Sequence, residues 1–246
     1  MLNIYKTKSM VKYNKEDKEY NPHFKNHEIH LFKHWIFSAG TGLGKTNGVI
    51  NLILTLNDCF HEIQIYTADP SEKLYAMLKE KLKDRIIIED IKKLPPYSEQ
   101  TKYGQKLLII DDFIEQSKAV LTRIEEYSTQ SRKKLFTCCF LTQSYFDCPK
   151  KIRNQVRYLV LYKPGDKSNF TMITKKLNTD IDNDIIKKVV TNATSEEMNV
   201  AVIDLQARDE NKMIRRNFEL NYYKFIEKDG SHIRNPKLLK GSGIIN

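Results

Sequence analysis

The chain has 246 residues, 40% of them hydrophobic, enough to bury one substantial core in a domain of the upper usual size with appendages. Its 41 Lys and Arg against 31 Asp and Glu give a formal charge of +10, which favours a polyanionic partner. The longest uninterrupted apolar runs, Leu107 to Ile110 and Tyr158 to Tyr162, fall far short of the roughly 20 residues of a membrane span, and the N-terminus lacks the apolar core of a signal peptide, so a cytosol-like compartment is expected.

Residues 1–30 alternate charge with Tyr and Asn, show no core pattern and read as an N-terminal extension. His23, His27 and His30 stand at spacings that could share a helix face as metal ligands, but Pro22 argues for irregular chain and no Cys or carboxylate joins them. Cys59, Cys138, Cys139 and Cys148 show no CxxC pairing and read as reduced packing residues.

Between Trp35-Ile36-Phe37 and the apolar stretch Val49 to Leu56 lies Ala39-Gly40-Thr41-Gly42-Leu43-Gly44-Lys45-Thr46. The order strand, glycine-rich turn, helix fits the P-loop pattern with Ala at its first position. Backbone amides over Gly40, Thr41, Gly42, Leu43, Gly44, Lys45, Thr46 and Asn47 can cradle phosphates, Lys45 can reach the β and γ oxygens of ATP, and Thr46 can hold Mg²⁺ through its hydroxyl. A glycine-rich turn that binds nothing is the alternative, which the flanking strand and helix disfavour.

Glu62 to Thr67 alternates as a strand does. Asp69-Pro70-Ser71-Glu72 then predicts a helix start, with Asp69 as cap, Pro70 in the first turn and Glu72 completing a capping box before Leu74, Met77 and Leu78. Arg85 to Glu89 is a further strand, and Pro95 to Gln105 a polar loop. Leu107-Leu108-Ile109-Ile110-Asp111-Asp112 reads as a strand covered on both faces with acids at its carboxyl end, where a doubly wound sheet places its ligands. Some sixty residues after a P-loop it reads as the Walker B element, Asp111 holding Mg²⁺ and Asp112 polarising the attacking water.

Val120, Leu121, Ile124 and Tyr127 mark a helix, and Leu135 to Leu141 another buried strand ending in Thr142-Gln143-Ser144. An amide at that strand tip can sense the γ-phosphate or the lytic water, which makes Gln143 a candidate. Between Ser131 and Lys163 stand eight basic residues against one acid, Asp147, a cluster that suits nucleic acid or bound phosphate better than a merely solvated face. Asn178 to Val190 predicts a helix, and Val200 to Leu205 with Met213 to Leu220 a hairpin closing the sheet. The tail, 226–246, is glycine-bearing and basic, and reads as flexible.

The P-loop, the Asp111-Asp112 pair, Ser131-Arg132-Lys133-Lys134, the block Leu141-Thr142-Gln143-Ser144-Tyr145-Phe146-Asp147-Cys148-Pro149 and Lys151-Ile152-Arg153-Asn154 together resemble the genome-packaging ATPases of poxviruses, other large DNA viruses and virophages, within the FtsK/HerA lineage. The resemblance covers about residues 33–165, and Ile214-Arg215-Arg216-Asn217-Phe218 adds to it. It implies a RecA-like α/β P-loop NTPase domain over 31–225, with a mostly parallel sheet flanked by helices and a C-terminal β-hairpin. It also implies a homo-oligomeric ring that pumps double-stranded DNA into a capsid, with a capsid or portal-like vertex partner, in the host cytoplasm, a viral factory or the virion. In such rings a neighbour's basic residue completes the ATP site, for which Arg132 is the first candidate and Arg153 the second. Asp112 stands where many relatives carry Glu, which leaves the water-activating group open. A P-loop nucleotide kinase is the alternative enzyme, and a nucleotide-gated DNA-binding or capsid-assembly subunit without hydrolysis the alternative outside enzymes.

Overall fold

The computed structural model describes residues 19–163, 167–177, 179 and 181–225; the expected tail over 226–246 and residues 1–18 of the expected extension lie outside the described residues. The apolar runs become strands: β1 (His34–Ser38), β2 (Glu62–Thr67), β3 (Ile86–Asp90), β4 (Lys106–Asp111), β5 (Phe136–Thr142), β6 (Val156–Leu161), β7 (Ala201–Asp204) and β8 (Ile214–Arg216). They form one sheet in the order β3-β2-β4-β5-β1-β6-β7-β8. The first six run parallel, while β7 pairs antiparallel with β6 and β8 with β7, the expected hairpin.

The α-helices are α1 (Phe24–His27), α2 (Lys45–Thr55), α3 (Lys73–Leu82), α4 (Lys118–Gln130), α5 (Lys150–Arg153), α6 (Lys167–Thr174) and α7 (Asn183–Ala193). Strand alternation sends side chains to two separate cores. Leu108 and Ile110 of β4 and Phe136, Cys138 and Phe140 of β5 pack with α4, α6 and α7. Leu107 and Ile109, with Trp35, Phe37, Cys139 and Leu141, pack with α2 and α3 on the other face. Burial on both faces is why these strands read as continuous apolar runs, each large side chain contributing about 1.5–3 kcal/mol. All four cysteines are free and buried, and burial pushes the Cys59 thiol up to about 11.

Three local expectations change. The core begins before residue 31: Ile29 and Leu31 are fully buried under the α2 face. His27 is buried too, its Nδ1 accepting from the Ile29 amide at 2.9 Å, so it serves packing. The helix expected from Asp69 starts only at Lys73. Asp69 instead closes a tight turn, accepting from the Ser71 amide at 3.0 Å, and Glu72 stays extended as the residue before the helix, its side chain making no bond to the helix amides. α7 likewise starts at Asn183, capped by Asp182, rather than near residue 178.

Candidate functional site

In a parallel sheet every strand delivers its carboxyl end to one edge, and there the candidate residues meet. β1 ends at Ser38 and runs into the loop Ala39–Gly44, which opens α2. The Ala39 amide donates to the Thr142 carbonyl at 3.1 Å, tying the loop to the tip of β5. Gly42 and Gly44 take φ of +77° and +86°, the left-handed region where a side chain is strained, so the loop's path depends on glycine there. Lys45 folds back on the loop, its Nζ donating to the Ala39 carbonyl at 3.0 Å, a bond that phosphate can replace.

β4 brings Asp111 to the same edge. Its carboxylate accepts from the Tyr75 hydroxyl of α3 at 2.7 Å. Burial pushes the Asp111 carboxyl up to about 6, assisted by the charges of Asp112 and Glu72 and opposed by the Tyr75 hydrogen bond and the Lys45 charge. A buried acid near a lysine fits a divalent cation: a cation there would offset the cost of burying the carboxylate charge, and with it the smaller repulsion from Asp112 and Glu72. Thr46 Oγ1 donates to Glu72 Oε2 at 3.3 Å. Asp112, one residue past the strand, is exposed and takes φ +49°, turning the chain away from the strand direction.

Gln143 is exposed at the tip of β5, the strand that lies between β1 and β4. It borders a cavity of about 220 Å³ shared with Gly40, Leu43, Ser144, Tyr145 and Tyr162. Asn47 borders a second cavity of about 260 Å³, walled by Asn51, Met198, Asn199 and Asn217.

The structure thus gathers the loop 40–47, Asp111, Asp112 and Gln143 on one edge. Of the two arginines expected to act on a neighbour's nucleotide, Arg153 stands in its own chain against the Tyr145 wall of the Gln143 cavity, and Arg132 lies elsewhere. Arg132 is exposed in the turn before β5, at the opposite edge of the sheet from Lys45 of its own chain. Arg153, at the end of α5, lays its guanidinium over the rings of Tyr145 at 5.3 Å and Phe146 at 5.4 Å.

Four residues at the site escaped the sequence reading. Glu72 and Tyr75 sit in a segment read only as a helix start, although Glu72 follows the carboxyl end of β2 just as Asp111 ends β4. At Gly48 an added Cβ would lie 2.0 Å from the Tyr162 hydroxyl, so glycine lets that ring pack directly against α2. Met198, at φ +63°, lays its thioether against Gly44; nothing in its local sequence announces that contact.

No protein-family model and no curated protein matches the chain. Solved structures do. The DNA-packaging ATPase B204 from Sulfolobus Turreted Icosahedral Virus superposes with a TM-score of 0.53 at 13% identity, over 77% of this chain and 98% of that one. The genome packaging NTPase B204 from Sulfolobus turreted icosahedral virus 2 gives 0.51 at 12% in complex with ATP-gammaS, covering 77% and 98%, and 0.53 at 13% with sulfate, covering 77% and 97%. The chain has the α/β P-loop ATPase fold. At these identities the likeness speaks for architecture, and the site's chemistry rests on the residues above.

Proposed function

We propose that this chain is an ATP-hydrolysing motor that moves double-stranded DNA and packages a viral genome into a capsid. One observation carries this: β5, tipped by Gln143, lies between the strand feeding the phosphate loop and the strand ending in Asp111, so cradle, sensor and acids share one edge. The loop amides and Lys45 hold the phosphates of ATP, and Thr46 and Asp111 hold Mg²⁺. When bound, magnesium would supply positive charge against the negative charge that builds on the phosphate oxygens. Asp112 accepts the proton of the attacking water, whose oxygen bonds to the γ-phosphorus as the bond to the β-phosphate bridge breaks, leaving ADP and phosphate. Gln143 orients that water or the γ-phosphate.

From the basic stretch between Ser131 and Lys163, the exposed Lys133, Lys150 and Lys163 supply contacts to DNA phosphates, which a motor that must pass any sequence requires, while Arg157 is already paired with Asp204. The likeness to B204, a viral DNA-packaging ATPase, supports the same assignment. A ring of copies gives Arg132 a nucleotide to meet, on the neighbour, since its own lies across the sheet. Arg132→Ala then keeps nucleotide affinity and loses assembly-dependent turnover; normal turnover by assembled variant excludes it. A capsid or vertex protein is the structural partner, and the host cytoplasm, viral factory or virion the setting. Among the described residues no helix is long and apolar enough to cross a membrane.

The test is displacement of a triplex-forming strand from duplex DNA during ATP turnover. Displacement that needs ATP and weakens steeply with salt is expected. ATP turnover stimulated by nucleoside monophosphates instead of duplex would make the chain a kinase, and nucleotide binding without phosphate release would make it a gated binding subunit.

A further inference from the structure

The two side chains assigned to the cation do not stand alone. Thr46 and Asp111 come from different elements, α2 and β4, yet both are hydrogen-bonded from one place, the start of α3. Glu72 is the residue before the helix and makes no capping bond, which leaves its carboxylate for the Thr46 hydroxyl. Tyr75, three residues on and so on the same side of the helix, is fully buried among Leu78 and the α2 side chains, and its hydroxyl reaches Asp111.

We propose that the start of α3 is the outer support of the cation site, with Glu72 fixing the Thr46 hydroxyl and Tyr75 fixing the Asp111 carboxylate. The inference rests on the proposed nucleotide function. A hydroxyl has one proton and two lone pairs. With its proton donated to Glu72, Thr46 keeps its lone pairs for a cation. With one oxygen of Asp111 bonded to Tyr75, the other is left for the cation or its water shell. Neither Glu72 nor Tyr75 need touch the nucleotide, so both are positioning residues, and they act by holding ligand geometry before the cation arrives. The arrangement also gives a reason for the extended backbone at Glu72: a helix beginning at Pro70 would carry that carboxylate into its own first turn, as a cap, and away from Thr46.

The test uses the full chain and a fluorescent, non-hydrolysable ATP analogue, titrated first without divalent cation and then with MgCl₂. Glu72→Ala should leave the cation-free affinity and the unfolding temperature unchanged while raising the half-saturating Mg²⁺ about tenfold. Glu72→Gln, whose amide oxygen still accepts the Thr46 proton, should recover most of that loss. Tyr75→Phe, which keeps the buried ring, should raise the Mg²⁺ requirement severalfold. A merely structural role would instead weaken binding equally with and without Mg²⁺. If wild type shows Mg²⁺-dependent binding and both Glu72→Ala and Tyr75→Phe share its midpoint, the inference fails alone. If wild type binds no nucleotide, the proposed function fails and takes the inference with it.

Discussion

The two edges of the sheet are built differently. At the amino-terminal edge, several charged and polar side chains are paired off within the chain. Lys106 is buried at the start of β4 with its amine on the Thr101 carbonyl at 2.9 Å and over the Phe136 ring. Gln105 uses both ends of its amide on Tyr20 and Cys59. Arg157 forks onto Asp204 with bonds of 2.8 to 3.1 Å, both side chains mostly buried. At the carboxyl-terminal edge a buried acid is held above its normal pKa, a lysine is parked on a carbonyl that a ligand can displace, and a cavity opens between the loop and Gln143. One edge spends its polar groups on stability, and the other keeps them for something that arrives from outside.

Substitutions at the two edges should therefore separate activity from stability. The largest effect is expected at Lys45: Lys45→Ala should lower ATP turnover about a thousandfold, roughly 4 kcal/mol of barrier, with urea unfolding unchanged. A large loss of stability there would erase the distinction. Next comes Arg157→Ala at the other edge, which leaves Asp204 mostly buried and unpaired and should cost about 3 kcal/mol in urea unfolding while the folded fraction keeps its turnover.

Asp111 sharpens the comparison through pH. Its folded pKa, about 6, lies above its ordinary 3.8, so between these values the native state holds a proton that the unfolded state has lost. Stability of the nucleotide-free protein should fall as pH rises through that window and stay lowered above it. Asp111→Asn should accordingly gain about 3 kcal/mol at pH 7.5 and almost nothing below about pH 3, measured by urea unfolding at both values. The gain should vanish when Mg²⁺ and nucleotide load the wild type. The smallest effect belongs to Ser117→Ala, which removes the 3.5 Å cap on the Val120 amide at the start of α4 and should cost about 0.5 kcal/mol.

The sequence reveals most of this edge and little of its support. Glycines in a phosphate loop and acids at the end of an apolar run are chemical statements made by contiguous residues, and so is the run of β5 into Gln143. The layered fold follows from the same two-sided apolar strands, and the closing hairpin from its alternation. Glu72 was legible only as a capping residue, because its partner Thr46 is 26 positions away and the competing local bond of Asp69 to Ser71 is not written in periodicity. The packing of Ile29 and Leu31 was hidden among polar neighbours, since two apolar residues give no period. Arg132 shows another limit: the role read for it is one played on a neighbouring copy, and a single chain, in which the direction of β5 puts it at the far edge from its own phosphate loop, does not contain that contact.

The central claim is that ATP is hydrolysed at the carboxyl-terminal edge in a reaction that duplex DNA drives. Phosphate release by wild type and Lys45→Ala, each with and without duplex, measures it directly. Turnover that rises with duplex in wild type and is absent in the variant is predicted; equal release by both proteins, or release indifferent to duplex, would contradict it.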